Sequence, residues 1–252
     1  MIIQTSKIPD SNEYEITYVS WESFSEKKAG LVIIPEKIRG KRITSIRGDA
    51  IAPIRKDVKK VIIAADIKYI PNYAFSGAKK LTEVILSSSV KSIGHSTFAD
   101  CSSLQDINLD KVQSFGFGTF ENAGLKNIVI GPCFRGMGQC CFLNCQNLQS
   151  VTWLASDVGI PHLTFCGCKR LASVTFPFEI TLLYIDNSAF EDTSLKEVDL
   201  SNVTLKEVKW VELAFDKKTA IVLNLGTKKK VVHGRCPLIQ PSDYITSDFT
   251  SD

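Results

Sequence analysis

The fold is decided by the stretch Val90-Lys-Ser-Ile93-Gly94-His-Ser-Thr-Phe98-Ala-Asp-Cys101-Ser-Ser-Leu104-Gln-Asp-Ile107-Asn-Leu109, because its pattern recurs along the chain. Its phenylalanine has counterparts at successive gaps of 23, 22, 22, 23 and 25 residues. The repeating positions are Phe75, Phe98, Phe120, Phe142, Phe165 and Phe190. A fixed period of about 20–50 residues is typical of repeat proteins, in which units too small to fold alone stack on one another.

The residues around each phenylalanine keep the same phase. An apolar residue lies five positions before it, a small residue lies three positions after it, and a leucine follows shortly. Each unit ends in an apolar–x–apolar segment, which predicts a short strand with its outer two side chains on one face. The predicted strands are Val84–Leu86, Ile107–Leu109, Ile128–Ile130, Val151–Trp153, Val174–Phe176 and Val198–Leu200, with weaker ones at Val61–Ile63 and Ile221–Leu223.

The predicted architecture is an α/β repeat, a right-handed solenoid that forms an arc. A parallel β-sheet covers one face, with strands about 4.8 Å apart, and short helical turns or irregular crossovers cover the other. Right-handedness follows from the rule for parallel crossovers. The recurring Phe, Leu and Ile side chains form ladders inside the coils, and we assign them a packing role alone.

These units resemble the BspA-type leucine-rich repeat, whose recurring phrase is roughly I-x-x-I-G-x-x-x-F-x-x-C-x-x-L-x-x-I-x-L. The stretch quoted above fits the phrase at every key position, and the resemblance covers about residues 31–223. It implies a leucine-rich-repeat solenoid. It also implies a surface or secreted protein, since members of the family adhere to host matrix proteins, to other cells or to themselves. The departures are Ala78, Ala123 and Thr193 in place of Cys, and Pro161 and Asp186 in place of Gly.

Three segments are predicted. Residues 1–42 form an N-terminal cap and lead-in segment, residues 43–223 hold six clear repeats and two degenerate ones, and residues 224–252 form a C-terminal tail or cap. Both ends of a solenoid need covering, since otherwise they expose apolar edges. One form of the N-terminal cap is a hairpin, containing Tyr14 and Trp21, that pairs with Leu31–Ile34.

The outward residues of the strands form a solvent-facing grid, which repeat proteins often use for binding. The alternative is that the grid is simply the solvent-exposed face of the sheet and has no binding role. It is polar and mildly acidic, has no cation to offset Glu83, Asp106 and Asp110, and lacks the Trp, Tyr and Arg anchors typical of hot spots. The predicted partner-binding residues are Glu83, Ile85, Asp106, Asn108, Asp110, Asn127, Val129, Ser150, Thr152, Ser173, Thr175, Glu197 and Asp199, and Ser87, Gly131, Leu154, Pro177 and Ser201 complete the grid.

Composition narrows the class of partner and the location. The net charge of +3 over 252 residues is too small to argue for nucleic acid, although residues 1–80 carry 15 Lys/Arg against 9 Asp/Glu. No apolar run approaches the roughly 20 residues that span a bilayer, and the first residues do not form a secretory signal. The sequence as it stands therefore predicts an intracellular protein. The family resemblance instead implies the cell surface or secretion, if this sequence is a piece of a longer chain.

The eight cysteines favour packing over chemistry. Cys101, Cys145 and Cys168 occupy the small-residue position, where free Cys often packs. Cys145 and Cys168 fall on adjacent coils, within disulfide range, but remain reduced in an intracellular compartment. The remaining thiols lack the paired C-x-x-C spacing of a zinc site, so neither a metal nor a cofactor is expected. They include Cys133, Cys140, Cys141 and Cys166.

Catalysis is not predicted. His95 and His162 lie three coils apart, His233 is in the predicted tail, and the chain has no glycine-rich phosphate loop, G-x-S-x-G or H-E-x-x-H motif. We predict a protein-interaction or adhesion module that is not an enzyme. One alternative is binding of a carbohydrate or cell-wall polymer along the strands. An alternative from another class is a carboxylate-based hydrolase that uses Glu83, Asp106, Asp110, Glu197 or Asp199.

Overall fold

The chain is a solenoid of stacked coils in a computed structural model that describes residues 1–210, 214–225 and 228–233. Each coil contributes one strand to a first row, whose outward surface we call the strand face. The predicted strand of every repeat is present, including the two weaker ones. The first row consists of β3 (Leu31–Ile34), β6 (Lys60–Ile63), β8 (Glu83–Leu86), β10 (Asp106–Ile107), β12 (Asn127–Ile130), β14 (Ser150–Trp153), β16 (Ser173–Thr175), β18 (Glu197–Leu200) and β20 (Ala220–Leu225).

First-row strands pair in parallel and in register. Val61 is opposite Val84, and Val151 is opposite Val174, so equivalent positions of successive repeats form straight rows. The row divides into three hydrogen-bonded segments, ordered β10-β8-β6-β3, β12-β14-β16 and β18-β20. Because register is kept, every inward Val, Ile or Leu reaches the interior, and every alternate residue faces outward.

A second row of strands follows the first in each coil, and the sequence analysis did not predict it. In the first four coils these strands are only two residues long, too short for alternation to reveal them. They contain the apolar residue that precedes each phenylalanine by five positions. The second row consists of β7 (Tyr69–Ile70), β9 (Ser92–Ile93), β11 (Ser114–Phe115), β13 (Gly136–Met137), β15 (Asp157–Ile160), β17 (Glu179–Ile185) and β19 (Thr204–Trp210).

The crossovers that return the chain to the first row are irregular turns, one of the two predicted forms. Backbone N–H groups of one coil donate to carbonyls of the next, as from Phe75 to Thr97 at 3.0 Å and from Phe98 to Thr119 at 2.8 Å. These ladders satisfy backbone groups that no helix satisfies here. Two residues after each repeat phenylalanine the backbone is left-handed, a conformation that Gly, Asn and Asp tolerate best. These positions are Gly77, Asp100, Asn122, Asn144, Gly167 and Asp192.

The core is built on a continuous stack of phenylalanine rings, as predicted. Consecutive rings lie 4.9–5.5 Å apart between centroids and are within 15° of parallel. Phe215 extends the stack beyond the six clear repeats, and each ring is buried. The stack contains Phe75, Phe98, Phe120, Phe142, Phe165, Phe190 and Phe215.

A small sheet covers the N-terminal end, but the predicted pairing of its hairpin was wrong. The hairpin of β1 (Ile2–Lys7) and β2 (Glu13–Ser20) pairs in parallel with β5 (Lys41–Ile46), which also pairs with β4 (Lys37–Ile38). Leu31–Ile34 instead pairs with β6 and forms the first strand of the first row. A six-residue helix, α1 (Phe24–Ala29), joins the hairpin to β3.

At the other end, the chain continues past the last repeat. The strand β21 (Lys228–His233) pairs antiparallel with β20 and contains the basic triplet Lys228–Lys230. Most of the predicted C-terminal tail, residues 234–252, lies outside the described residues.

Candidate binding surface

The structure brings the predicted partner-binding residues together on the strand face. In β12 exposed Asn127 and Val129 alternate with buried Ile128 and Ile130. Register extends these positions across neighbouring strands, so that Ser150 and Ser173 continue one row and Thr152 and Thr175 continue the next. Glu197 and Asp199 occupy the same outward positions in β18. Alternation therefore predicted the placement of the grid, and its role in binding remains a proposal.

Asn108 has a structural role within this grid. The Leu86 N–H donates to Asn108 Oδ1 at 2.7 Å, and Asn108 Nδ2 donates to the Leu86 carbonyl at 2.9 Å. Because β10 ends at Ile107, the amide side chain takes the place of the next backbone pairing. One of its two N–H donors and its oxygen are therefore used within the chain.

The prediction that no cation offsets the acidic residues was wrong for two of the three. Lys60 Nζ lies 2.7 Å from Glu83 Oε2, and Lys111 Nζ lies 3.4 Å from Asp110 Oδ2. Lys60 comes from a degenerate repeat that the predicted grid left out, and register places it opposite Glu83. Asp106 alone of the three makes no ion pair with any described residue. The strand face is consequently less acidic than the predicted grid indicated.

The sequence analysis missed a row of aliphatic side chains at the N-terminal end of the strand face. Ile33, Ile62 and Ile85 are in register on β3, β6 and β8, and Leu31 lies beside them. Leu31, Ile33 and Ile85 are 40%, 41% and 39% exposed, and Ile62 is half-buried. We call these four residues the aliphatic stripe. Its signal was present in the segments LVII and KVII, which are apolar at outward as well as inward positions. The first segment belongs to the predicted N-terminal cap, however, and the second to a degenerate repeat.

The outer margin of the grid is less uniform than predicted. Leu154 is 46% exposed, whereas Gly131 and Ser201 are buried and do not face outward. A Cβ at residue 131 would collide with the backbone carbonyl of Asp110. Glycine is therefore required there for the close approach of two coils.

The cysteines at the small-residue position are buried hydrogen-bond donors. The thiols of Cys101, Cys145 and Cys168 donate to the carbonyl of the phenylalanine one coil earlier, at 3.2, 3.0 and 3.1 Å. Burial raises the pKa of the Cys101 thiol to about 12. Cys145 and Cys168 lie on adjacent coils as predicted, and every described cysteine is free. These contacts bear out a packing role.

Cys141 occupies the position that Thr97, Thr119 and Thr164 hold in three other repeats. Its thiol donates to the Gly116 and Gly138 carbonyls at 3.0 and 3.1 Å, as the Thr119 hydroxyl does to the Gly94 and Gly116 carbonyls. Burial raises the pKa of Cys141 to about 12. Burial, followed by the carboxylate of Glu121, also raises the pKa of Cys140. Neither thiol is poised to act as a nucleophile.

The histidines support the coil ladders. The Phe117 N–H donates to His95 Nδ1 at 2.8 Å, and His162 Nδ1 lies 2.8 Å from the Asn187 carbonyl oxygen. The side chain of His233 lies outside the described part of the structure. Across residues 1–210, 214–225 and 228–233, no three His, Cys, Asp or Glu side chains are arranged to hold a metal ion.

The carboxylates named for the hydrolase alternative lie on the strand face. Glu83 and Asp106 are in register on adjacent strands, and that spacing is close to the approximately 5 Å of retaining glycosidases. Glu83 is, however, paired with Lys60. A cavity of about 710 Å³ lies elsewhere, bordered by Glu191, Leu195 and Phe215, and none of the predicted carboxylates lines it.

Within the part of the chain that the structure describes, no helix has the length and apolar character needed to cross a bilayer.

Comparison with known proteins agrees with the repeat pattern. Six copies of the family described as "BspA type Leucine rich repeat region" match residues 3–123, 44–162 and 107–221. A search of curated protein sequences finds no similar sequence.

Several solved structures share the fold. A leucine-rich repeat protein of T. pallidum is 23% identical with a TM-score of 0.62, over 71% of this chain and 81% of that one. A leucine-rich repeat protein of Bacteroides ovatus is 20% identical with a TM-score of 0.60, over 87% and 65% of the two chains. A leucine-rich cell surface protein of Faecalibacterium prausnitzii is 21% identical with a TM-score of 0.54, over 93% and 60%. The chain thus spans less than two thirds of the latter two proteins, and the likeness to all three establishes the fold.

Proposed function

Because the chain belongs to the BspA-type leucine-rich-repeat family, we propose that it is a protein-interaction module that binds a macromolecular partner through its strand face. In this proposal the outward grid supplies the contact area, and the aliphatic stripe supplies the apolar anchors. Asn108 acts by holding β8 and β10 in place. The module needs no cofactor and carries out no chemical reaction on its partner.

The observation that supports this proposal most is the exposure of apolar side chains within an ordered grid. Ile85, Val129 and Leu154 are 39%, 46% and 46% exposed on the strand face, although their inward neighbours already fill the core. An outward apolar side chain contributes nothing to the interior and becomes favourable when a partner covers it. Strand pairing fixes the backbone beneath these side chains, so little ordering is needed on binding.

A protein is the class of partner that this surface fits best. Aliphatic side chains among polar ones suit the apolar core and polar rim of a protein interface. A carbohydrate partner would be recognised by exposed aromatic rings and convergent polar groups, and Trp153 on β14 is instead buried in the core. We further propose display at the cell surface, where the family resemblance places an adhesion module.

The proposal can be tested with two matched double variants. Ile85→Asp/Val129→Asp adds two carboxylates to the strand face, and Phe117→Asp/Asn144→Asp adds two to other surfaces of the coils. Position 144 accepts Asp because Asp100 and Asp192 have the same left-handed backbone two coils away on either side. The native chain and both variants are immobilised, and the proteins retained from the source cells are quantified by mass spectrometry.

We expect at least one protein that the native chain and the crossover variant retain and that the strand-face variant loses. Equal retention by all three chains, or loss restricted to the crossover variant, would contradict a role for the strand face. Circular dichroism of the three chains establishes that each is folded.

A further inference from the structure

A concentration of lysines borders the strand face at its N-terminal end. Lys27 Nζ and Lys80 Nζ lie 3.4 and 3.1 Å from the Asp57 carboxylate, which joins α1 to two successive coils. Lys59 Nζ donates to the Lys28 carbonyl at 2.6 Å. We call the whole group the lysine corner, and its members are Lys27, Lys28, Lys56, Lys59, Lys60, Lys79 and Lys80.

This corner carries more positive charge than the whole chain. Its seven lysines are accompanied by three carboxylates, Glu26 on α1, Asp57 and Glu83, which leaves a formal charge of +4, whereas the complete sequence carries +3. The rest of the molecule is therefore net negative. The hydrogen bond from Lys80 lowers the pKa of the Asp57 carboxyl below its ordinary value, and Lys27 lowers it further. Desolvation acts in the opposite direction but does not cancel these effects. A field of this kind steers and retains an anionic partner.

The lysine corner is continuous with the aliphatic stripe. Register places Lys60 between Leu31 and Glu83 across the sheet, and Lys60 lies two residues before Ile62 on the same outward face. Lys59 and Lys60 also follow directly after the turn that contains Asp57. Apolar and cationic groups therefore meet within one strand, β6.

From this juxtaposition we propose that the N-terminal end of the strand face binds an acidic protein segment. Aliphatic or aromatic side chains of the segment lie on the stripe, and its carboxylates face the lysine corner. The inference rests on the proposed function of the strand face and specifies the chemistry of the partner. It also explains why the stripe lies at the basic end of the grid and not beside Glu197 and Asp199.

Other anionic partners fit this surface less well. Nucleic acid is usually held by cations interleaved with aromatic stacking platforms, and the stripe is purely aliphatic. A membrane is planar and would have to contact both groups in one plane. The stripe faces outward from the sheet, however, whereas the lysine corner lies around the edge where the strands begin. Phe24 on α1, which is 81% exposed, is the residue that a membrane would engage. It therefore serves to test the membrane alternative.

The experiment pans a random peptide display library on the complete chain and sequences the recovered pool. Recovered peptides are then titrated against two double variants, Ile62→Ser/Ile85→Ser in the stripe and Lys56→Glu/Lys79→Glu in the lysine corner. Matched controls are Phe117→Ser/Phe178→Ser, which removes two exposed apolar side chains outside the strand face, and Lys126→Glu/Lys196→Glu, which reverses two charges on other coils. Lys56 and Lys79 are exposed and make no ion pair with any described residue. Their reversal should therefore leave the fold intact, which circular dichroism checks.

We expect a pool enriched in Asp and Glu together with aliphatic or aromatic residues. The stripe variant and the lysine variant should each weaken binding about tenfold at low salt, while the two controls leave it within about twofold. About 0.5 M salt should remove the effect of the lysine variant alone, because it screens exposed charges.

Two results separate this inference from the proposed function. Peptides that lose binding to the stripe variant but show no acidic enrichment would overturn the inference and leave the strand face as the binding site. Peptides unaffected by any strand-face variant would overturn both. Vesicles containing an anionic phospholipid form the last arm, and binding to them that Phe24→Ser abolishes, without selection of acidic peptides, would assign the corner to a membrane.

Discussion

Replacing Phe120 by alanine should destabilise the chain more than any surface substitution. The ring is fully buried, stacks on Phe98 and Phe142 at 5.5 and 5.2 Å, and meets Phe115 edge-on at 5.4 Å. Truncating a buried Phe costs about 3–5 kcal/mol, from lost transfer free energy and the cavity left behind. That range already includes the lost ring contacts, and because Phe120 makes three aromatic pairs, each worth about 0.5–1.5 kcal/mol, we expect a value at its upper end, about 4–5 kcal/mol.

The assay is thermal and urea unfolding followed by circular dichroism, with Phe117→Ala as the control. Phe117 is three residues away and 46% exposed, so its truncation should change the free energy of unfolding by no more than about 0.5 kcal/mol. For a chain of this size, Phe120→Ala should lower Tm by roughly 8–20 °C. A Tm that Phe120→Ala leaves unchanged, or that Phe117→Ala lowers more, would refute the assignment of the phenylalanine stack to the interior.

The same geometry predicts the effect of two further substitutions and the behaviour of the buried thiols. Asn108→Leu should lower the free energy of unfolding by about 1–3 kcal/mol, because the Leu86 N–H and carbonyl lose their partner. Urea unfolding measures this change, and an unchanged midpoint would contradict the stabilising role of the Asn108–Leu86 hydrogen bonds. Gly131→Ala should cost about 1–3 kcal/mol from the collision with the Asp110 carbonyl, and a neutral Tm would show that the two coils are not in close approach. The thiols of Cys101 and Cys141 should resist iodoacetamide in the folded chain at pH 8, whereas exposed Cys133 reacts, as peptide mass spectrometry will show. Since burial raises both pKa values from an ordinary 9.0 to about 12, thiolates form first in the unfolded chain, and stability should fall between about pH 9 and 12. The fall should be smaller in Cys101→Ala/Cys141→Ala, in which other buried thiols such as Cys145 still contribute, and an equal fall would contradict the assignment to these two thiols.

The first-row strands and the phenylalanine stack could be predicted because two signals coincide in them. In Glu83–Leu86 the alternation gives the face of each side chain, and the repeat spacing of Phe98 gives its place in the coil. The second row carried neither signal in full. Ser92–Ile93 is a strand of two residues, which pairs with its neighbours without any alternation that the sequence could show.

The candidate surface was predictable in position but not in character. Outward residues such as Asn127 and Thr152 follow from alternation alone, whereas the pairing of Lys60 with Glu83 depends on the register between a degenerate repeat and a clear one. The aliphatic stripe was missed for a related reason, since Ile33 belongs to the predicted N-terminal cap and Ile62 to a repeat that the pattern barely marks. Asn108 was predicted to be a contact residue because it occupies an outward position of the alternation. Its hydrogen bonds to Leu86 replace the backbone pairing of a strand that ends early, and no sequence pattern reveals where that strand ends.

The measurement that tests the central claim most directly is site-specific photocrosslinking in the source cells. A photoreactive phenylalanine is placed at residue 85 on the strand face or at residue 117, and both positions are comparably exposed, at 39% and 46%. We predict that residue 85 forms an adduct with another protein and that residue 117 does not. Adducts formed only from residue 117, or none from residue 85 in cells where the chain is intact, would contradict binding through the strand face.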